Sequence, residues 1–235
     1  DSMMKKFIDQ VGYPVVDVKR NNSKISLTQR RFLSDGSISS KNRWAIPIHI
    51  EEGNHESSIL MKSQKRVVSL KNTDSNFIIN SGRYGFYRVQ YDDNSLANLS
   101  LLIDEKILNH VDRWSLQNDL FSQCVSGTKQ IQEYLDFTTS YHDEDDYITL
   151  QNLAQNLYHL YKLTRKEKFS DEIRTYTAQF LGTIFDRLGW DSQKNEKHTN
   201  ALLRSFVITA LGKLGDKEIL DEARKRFIKF LKNKN

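Results

Sequence analysis

The sequence is short of cysteine and proline, and it has no long apolar run. One cysteine in 235 residues excludes an internal disulfide. We expect Cys124 to be a small buried apolar residue of a protein in a reducing compartment, which predicts a cytoplasmic location. No run approaches eighteen apolar residues, so the sequence predicts no membrane partner. Of the two prolines, Pro14 ends a first helix and Pro47, which has no N–H to donate, predicts an edge strand.

No charge of one sign dominates. The chain has 35 Lys and Arg against 30 Asp and Glu, a formal net charge of +5. A nucleic-acid surface would need a basic stripe with interleaved aromatic residues. The basic residues are scattered instead, and their one concentration is explained by the solvated face of a terminal helix. We therefore predict no nucleic-acid partner. That concentration comprises Arg224, Lys225, Arg226, Lys229, Lys232 and Lys234.

The apolar period changes from two to between three and four at residues 80–92. Residues 86–91 alternate as a strand does, and polar residues that can cap a helix follow them. These residues are Asp92, Asp93, Asn94 and Ser95. The sequence therefore predicts strands before this junction and helices after it.

About seven short strands precede the junction. They begin at Val16 and are predicted further at residues 25–32, 44–50, 59–62, 66–70, 77–80 and 86–91. The clearest alternation places Trp44, Ile46, Ile48 and Ile50 on one apolar face. Because an isolated hairpin is unstable, we expect the strands to pack as an antiparallel β-sandwich over residues 10–91.

Helices are predicted from Asp93 to the end, with Gly215 as a C-terminal cap and Asp216 starting the last helix. Their ranges are a stripe over residues 96–103, then residues 109–125, 128–139, 144–163, 168–189, 196–214 and 216–232. Antiparallel helix pairs with short connections are typical of α-solenoids of the armadillo or HEAT kind. The predicted fold class is α+β and multidomain, a β-sandwich followed by a helical solenoid.

Several motifs resemble one family, and they occur in its order. Residues 85–92 read Gly-Phe-Tyr-Arg-Val-Gln-Tyr-Asp, residues 12–16 read Gly-Tyr-Pro-Val-Val, and residues 44–47 read Trp-Ala-Ile-Pro. Residues 112–121, which begin Asp-Arg, resemble the entry of the family's helical domain. The chain resembles the gluzincin zinc aminopeptidases, the aminopeptidase N-like family that includes tricorn-interacting and puromycin-sensitive aminopeptidases. Two positions depart conservatively: Gln90 replaces the usual Asn, and Phe7 replaces a Trp.

This resemblance implies a piece of a larger enzyme. Residues 1–9 would be the tail of a catalytic-domain helix, residues 10–91 the sandwich, and residues 92–235 the first part of the C-terminal helical domain. The parent enzyme would remove N-terminal residues from peptides with a zinc ion. Its helical domain would help to enclose the substrate cavity. The implied partners are peptide substrates and the catalytic domain of the same polypeptide.

The zinc motif of such an enzyme is His-Glu-x-x-His on a helix, where residues i and i+4 share a face. His55-Glu56 is the one His-Glu pair, Ile59 stands at the second histidine position, and the segment is predicted as a strand. The histidines at 49, 55, 110, 142, 159 and 198 have no ligand spacing. We therefore predict no catalytic, cofactor-binding or metal-binding residue, and no activity, for this chain by itself.

Two sets of polar residues are explained by structural roles. The acidic run 142–146 could attract a cation, but an acidic first turn of a helix explains it, and no glycine there permits a calcium-loop turn. We expect Asp112, Asn118 and Asp119 to serve as caps and interhelix hydrogen bonds. The competing function for the whole chain is a free-standing α-solenoid that binds proteins and is carried on a β-sandwich.

Overall fold

A computed structural model describes residues 2–37, 42–71 and 76–233. Within these ranges the strands come before all helices but the first. The strands are β1 Pro14–Asn21, β2 Lys24–Arg31, β3 Ile46–Glu52, β4 His55–Met61, β5 Lys65–Ser69, β6 Ile78–Ile79 and β7 Arg88–Tyr91. The helices are α1 Ser2–Asp9, α2 Asp93–Asp104, α3 His110–Val125, α4 Ile131–Thr138, α5 Tyr147–Thr164, α6 Ser170–Leu188, α7 His198–Leu214 and α8 Lys217–Lys232.

The predicted α+β class is confirmed, as is the position of the change from strands to helices. Strand β7 ends at Tyr91 and helix α2 begins at Asp93. The Asp92 side chain caps α2 by accepting a hydrogen bond from the Ser95 N–H at 2.8 Å. Its second oxygen accepts from the Arg20 N–H at 2.7 Å, so one carboxylate joins the helix start to β1.

The strands form two sheets. One has the order β5-β2-β1-β7 and the other β4-β3-β6. Neighbouring strands are antiparallel except β1 and β7, which pair in parallel with Val16 opposite Val89. The predicted face of Trp44, Ile46, Ile48 and Ile50 is completely buried. The packing of the two sheets as a sandwich stays a prediction.

The prediction that Pro47 lies on an edge strand was wrong. Strand β3 is the central strand of its sheet, between β4 and β6. The structure tolerates a proline there because β6 has only two residues, which pair with Ile50 and Glu51. Pro47 itself lies opposite Leu60 of β4, beyond the reach of that short ladder. The shortness of β6, which the sequence did not indicate, is therefore what allows a proline in the central strand.

The chain divides into two compact units, residues 1–144 and 145–235. The first contains both sheets and helices α1 to α4. In the second, α5, α6 and α7 pack on one another and α8 packs on α7, around a core that includes Leu181, Val207 and Leu211. Gly215 caps α7 with φ 88°, and Asp216 caps α8, as predicted. The domain boundary near residue 91 and the solenoid architecture stay predictions.

Candidate functional site

The residues considered for a metal site are not brought together. His55 and Glu56 lie in strand β4, where Ile59 also lies. His49 Nδ1 is 3.1 Å from the Ser58 hydroxyl. Among the residues that the structure describes, no group of three His, Cys, Asp or Glu side chains could hold a metal ion. The donor set that zinc requires is therefore not found in the described part of the chain.

The acidic run before α5 is used structurally. The Glu144 carboxylate accepts two hydrogen bonds from the Arg113 guanidinium, both at 2.7 Å, in a buried pair. Asp146 caps α5 by accepting from the Thr149 N–H at 2.9 Å. His142 lies 3.0 Å from the Asp104 carboxylate. The expected acidic first turn is therefore corrected, because α5 begins after the run, at Tyr147, and its first turn contains no acidic residue. Asp146 alone belongs to the helix start, as its cap, and Glu144 instead pairs with Arg113.

Cys124 is buried, as predicted. Its thiol donates to the Gln130 carbonyl at 3.1 Å. Burial raises the pKa of the Cys124 thiol to about 12. The thiolate, which is the nucleophilic form, is therefore disfavoured at neutral pH.

The most constrained segment is the junction between β6 and β7. It contains a 3₁₀ turn, Ser81–Arg83, in which Gly82 and Arg83 have φ of 67° and 56°. A left-handed conformation costs a residue with a Cβ roughly 1–2 kcal/mol, so the surroundings of Arg83 must hold it there. The Asn80 side chain supports the turn, because it donates to the Gly85 and Tyr87 carbonyls and accepts from the Gly85 N–H at 2.8 Å.

Gly85 cannot be replaced without moving this junction. A Cβ at that position would lie 2.1 Å from the Tyr87 ring and 3.1 Å from the Asn80 side-chain oxygen. The glycine therefore permits the close approach that brings Tyr87 back toward the turn. This is the physical reason for a glycine in the motif at residues 85–92.

Helix α3 completes the outer edge of β7 with side chains. Asp119 accepts from the Val89 N–H at 2.9 Å, and Gln123 donates to the Val89 carbonyl at 2.8 Å. Both polar groups of the Val89 backbone are thus paired by helix side chains, as a neighbouring strand would pair them. The expectation that Asp119 would join helix to helix is corrected: it joins a helix to a strand.

The same Asp119 carboxylate holds two arginines of the junction. Its Oδ1 accepts from Arg88 Nη1 at 2.7 Å and from Arg83 Nη2 at 3.0 Å. The Arg88 guanidinium also lies 5.7 Å from the centre of the Tyr13 ring and 5.6 Å from that of Phe32. Arg83 lies over the Trp114 ring at 5.4 Å. One buried carboxylate therefore fixes two cations.

Asp112 joins α3 to the 3₁₀ turn. Its carboxylate accepts from the Gly82 N–H at 2.7 Å and from the Ser81 hydroxyl at 3.0 Å. Ser81 also contacts Glu51 of β3. Burial raises the pKa of the Asp112 carboxyl, although its hydrogen-bond donors favour the charged form. The expected cap role is likewise corrected, because Asn109 caps α3 and Asp112 binds the turn.

A cavity of about 370 Å³ opens beside the junction. It is lined by Tyr13, Arg83, Tyr84, Gly85, Phe86, Tyr87 and Arg88. Two of its aromatic residues are largely exposed, Tyr84 at 85% and Phe86 at 71%. Guanidinium groups and aromatic surface together can bind a ligand or a partner. Sequence reasoning identified the motif but not the cavity, since Arg83 and Tyr84 carry no spacing signal of their own.

A second, larger cavity of about 900 Å³ lies on the polar outer face of the four-stranded sheet. At its floor the buried Arg30 pairs with Asp17 at 3.0 Å and donates to Gln90 at 2.6 Å. Lys129, which also lines this cavity, is held by Asp93 and Glu133. These charges compensate one another, so this cavity has no strong preference for a charged ligand.

None of the helices within the described ranges combines the length and the apolarity that crossing a bilayer requires.

Comparison with known proteins gives a consistent result. The model of the ERAP1-like C-terminal domain family matches residues 76–235. Aminopeptidase M1 of Arabidopsis thaliana is 31% identical over 100% of this chain and 29% of its own length. Tricorn protease-interacting factor F2 of Thermoplasma acidophilum is 29% identical over 95% of this chain and 27% of its own length. Puromycin-sensitive aminopeptidase of Caenorhabditis elegans is 27% identical over 98% of this chain and 26% of its own length. The chain spans less than a third of each of these relatives.

Proposed function

Because the chain belongs to the ERAP1-like C-terminal domain family, we propose that it is the non-catalytic C-terminal portion of a zinc-dependent aminopeptidase. The parent enzyme removes N-terminal residues from peptides. The observation that carries this proposal is that relatives named as aminopeptidases align with the whole chain, while the chain covers under a third of them. The zinc ligands and the general base then belong to a catalytic domain of the same polypeptide.

In this proposal the first unit contacts that catalytic domain. The exposed Tyr84 and Phe86 supply apolar surface for the contact, and Phe86 already packs against Phe7 of α1 with ring centres 6.3 Å apart. Exposed aromatic residues beside positive charge are typical of interface centres. The helical part helps to enclose the cavity that admits the peptide. A cytoplasmic location fits the single buried cysteine.

The contact is tested by comparing the isolated chain with the full-length enzyme. We expect the double substitution Tyr84→Ser and Phe86→Ser to lower the melting temperature and protease resistance of the full-length enzyme more than those of the isolated chain, which loses only the ring contacts of Phe86 with Phe7 and Tyr13 and of Tyr84 with His49. Val67→Ser is the matched control, because Val67 is also an exposed apolar residue of the first unit, at 62%. Equal effects of the double substitution on both proteins would contradict the proposed contact.

The assignment to an aminopeptidase has its own test. We expect the isolated chain to release no product from aminoacyl-coumarin substrates and to retain no stoichiometric zinc after dialysis, whereas the full-length enzyme does both. Chelator-sensitive hydrolysis by the isolated chain would overturn the assignment. A full-length protein without hydrolytic activity would favour the alternative, a protein-binding module.

A further inference from the structure

We propose that the 370 Å³ cavity beside the junction, here called the junction pocket, binds a carboxylate that is carried on an aromatic or apolar group. The junction pocket is lined by two arginines, four aromatic residues and Gly85. Its charge, its free hydrogen-bond donors and its walls each support this ligand class.

The charge of the junction pocket favours an anion. Arg83 and Arg88 both line it, and no acidic residue does. Asp119 lies behind them and binds both guanidinium groups through the same oxygen, Oδ1. One carboxylate against two guanidinium groups leaves a charge of +1 on this group of three side chains, while the Asp112 and Glu51 carboxylates are bound by Ser81 and Gly82 of the adjoining turn. The side chains of Arg83 and Arg88 are only 22% and 17% exposed, so this charge is partly removed from water and its attraction for an anion is strengthened.

Hydrogen-bond donors remain for such an anion. A guanidinium has five N–H groups in a planar fork that matches a carboxylate. Among the described residues, the guanidinium of Arg83 makes a hydrogen bond only through Nη2, to Asp119. Arg88 uses Nε for the Tyr13 hydroxyl and Nη1 for Asp119 and the Asn118 carbonyl. Within the described part of the chain, Nε and Nη1 of Arg83 and Nη2 of Arg88 are therefore available.

The position of Arg83 is imposed by the fold. Its left-handed backbone, with φ 56°, is held by the hydrogen bond from its N–H to the Asn80 carbonyl at 2.8 Å. The Trp114 ring supports the guanidinium from one side. A donor fixed in this way loses little conformational entropy when it binds a ligand.

The remaining walls favour an apolar group on the same ligand. Tyr13, Tyr84, Phe86 and Tyr87 line the junction pocket, and the Tyr13 and Phe86 ring centres are 5.6 Å apart. Its volume lies in the range of pockets for small molecules or single side chains. An aromatic side chain next to a carboxylate matches both halves of this surface.

Isothermal titration calorimetry on the 235-residue chain tests the proposal with three probes. The first is N-acetyl-phenylalanine, which has a terminal carboxylate. The second is N-acetyl-phenylalanyl-glutamyl amide, whose only carboxylate is on a side chain. The third is N-acetyl-phenylalaninamide, which has the same ring and no charge. We expect at least one of the two carboxylates to bind about tenfold or more tightly than the uncharged amide, since hydrogen bonds to charged groups are the strong ones.

Substitutions then assign the binding to the junction pocket. We expect Arg83→Gln to weaken carboxylate binding about tenfold or more, and Phe86→Ala to weaken it while the preference over the amide persists. Arg66→Gln is the matched control, because Arg66 is exposed on β5 away from the pocket. Circular dichroism and melting curves show whether each variant is folded.

The outcomes separate clearly. Preference for the first probe identifies a chain terminus as the ligand class, and preference for the second identifies an acidic side chain of a partner protein. Either result supports a carboxylate site. Equal binding of acid and amide, no binding of any probe, or full binding by a folded Arg83→Gln variant would overturn the proposal.

Discussion

Asp119→Ala should be among the most destabilising single substitutions in the first unit. Asp119 is buried, with 6% of its side chain exposed, and its two oxygens accept from Arg83, Arg88 and the Val89 N–H. Removing the carboxylate leaves two partly buried cations repelling each other and one backbone donor without a partner. Breaking a buried ion pair costs about 3–5 kcal/mol. Because both arginines retain some exposure and recover part of their hydration, we expect about 3 kcal/mol, or roughly 6–12 °C in melting temperature.

Asp119→Asn should not rescue the loss, although it has nearly the same shape. An asparagine has one oxygen and one NH₂ group where Asp119 has two acceptors. If the oxygen faces Val89, the NH₂ group points at two guanidinium groups. If the oxygen faces the arginines, the NH₂ group points at the Val89 N–H. Either orientation opposes donors to donors, so Asn should cost nearly as much as Ala.

The assay is denaturant unfolding followed by tryptophan fluorescence, since Trp44 and Trp114 lie in the first unit. Asp93→Ala is the matched control. Its side chain is 86% exposed and pairs with Lys129 at the surface, so its loss should cost no more than about 1 kcal/mol. Adding Arg83→Gln to Asp119→Ala should recover part of the stability by removing one unpaired charge. An Asp119→Ala curve that overlays the wild type would refute the reasoning, as would an Asp119→Asn variant of full stability.

Three further predictions concern the same unit. Trp44→Ala should cost about 3–5 kcal/mol in unfolding free energy because Trp44 is completely buried, and an unchanged denaturation midpoint would argue against a packed role for its face. The pKa of Asp112 is raised by burial, so the stability it contributes is present below its unfolded pKa and is lost as the pH rises through the folded pKa. Raising the pH above about 4 should therefore destabilise the wild type relative to Asp112→Asn, and midpoints that differ equally at every pH would contradict this. Gly36→Ala should lower the free energy of unfolding by more than about 1 kcal/mol, since its Cβ would lie 2.2 Å from the Ser126 carbonyl oxygen. Gly53 also has a positive φ but has open space around it, so Gly53→Ala should show only the conformational cost. Thermal melting compares the two variants, and equal losses of stability would exclude the clash at Gly36.

Local signals in the sequence predicted the elements well. The change of period at Tyr91 and Asp92 needs only neighbouring residues, and so does the cap at Gly215 with its φ of 88°. The buried face of Trp44 follows from simple alternation along one strand. In each case the residues that cause the feature lie within a few positions of it, so a single sequence is enough to predict it.

Features that depend on distant residues were not predictable. The edge prediction for Pro47 failed because it depended on the length of β6, some thirty residues later. The parallel pairing of β1 with β7 leaves no signal in either strand. The role of Asp119 depends on how α3 lies against β7, and a polar residue in a helix pattern looks the same whether it faces a strand, a helix or water. The junction pocket is formed by residues brought together through such distant contacts, so the sequence alone did not predict it.

The pairing of β7 with β1 has a consequence for synthesis of the chain on the ribosome. Arg20, whose N–H binds Asp92, precedes it by 72 residues, and Asp119 follows Val89 by a further 30. At about 5–20 residues per second, β1 waits roughly 4–14 s for its parallel neighbour, and β7 waits roughly 2–6 s for Asp119. During that time one edge of the nascent sheet presents unpaired backbone groups to other chains. Aggregation during translation should therefore depend on how fast residues 21–119 are made, and slow codons in that stretch should lower the yield of folded protein.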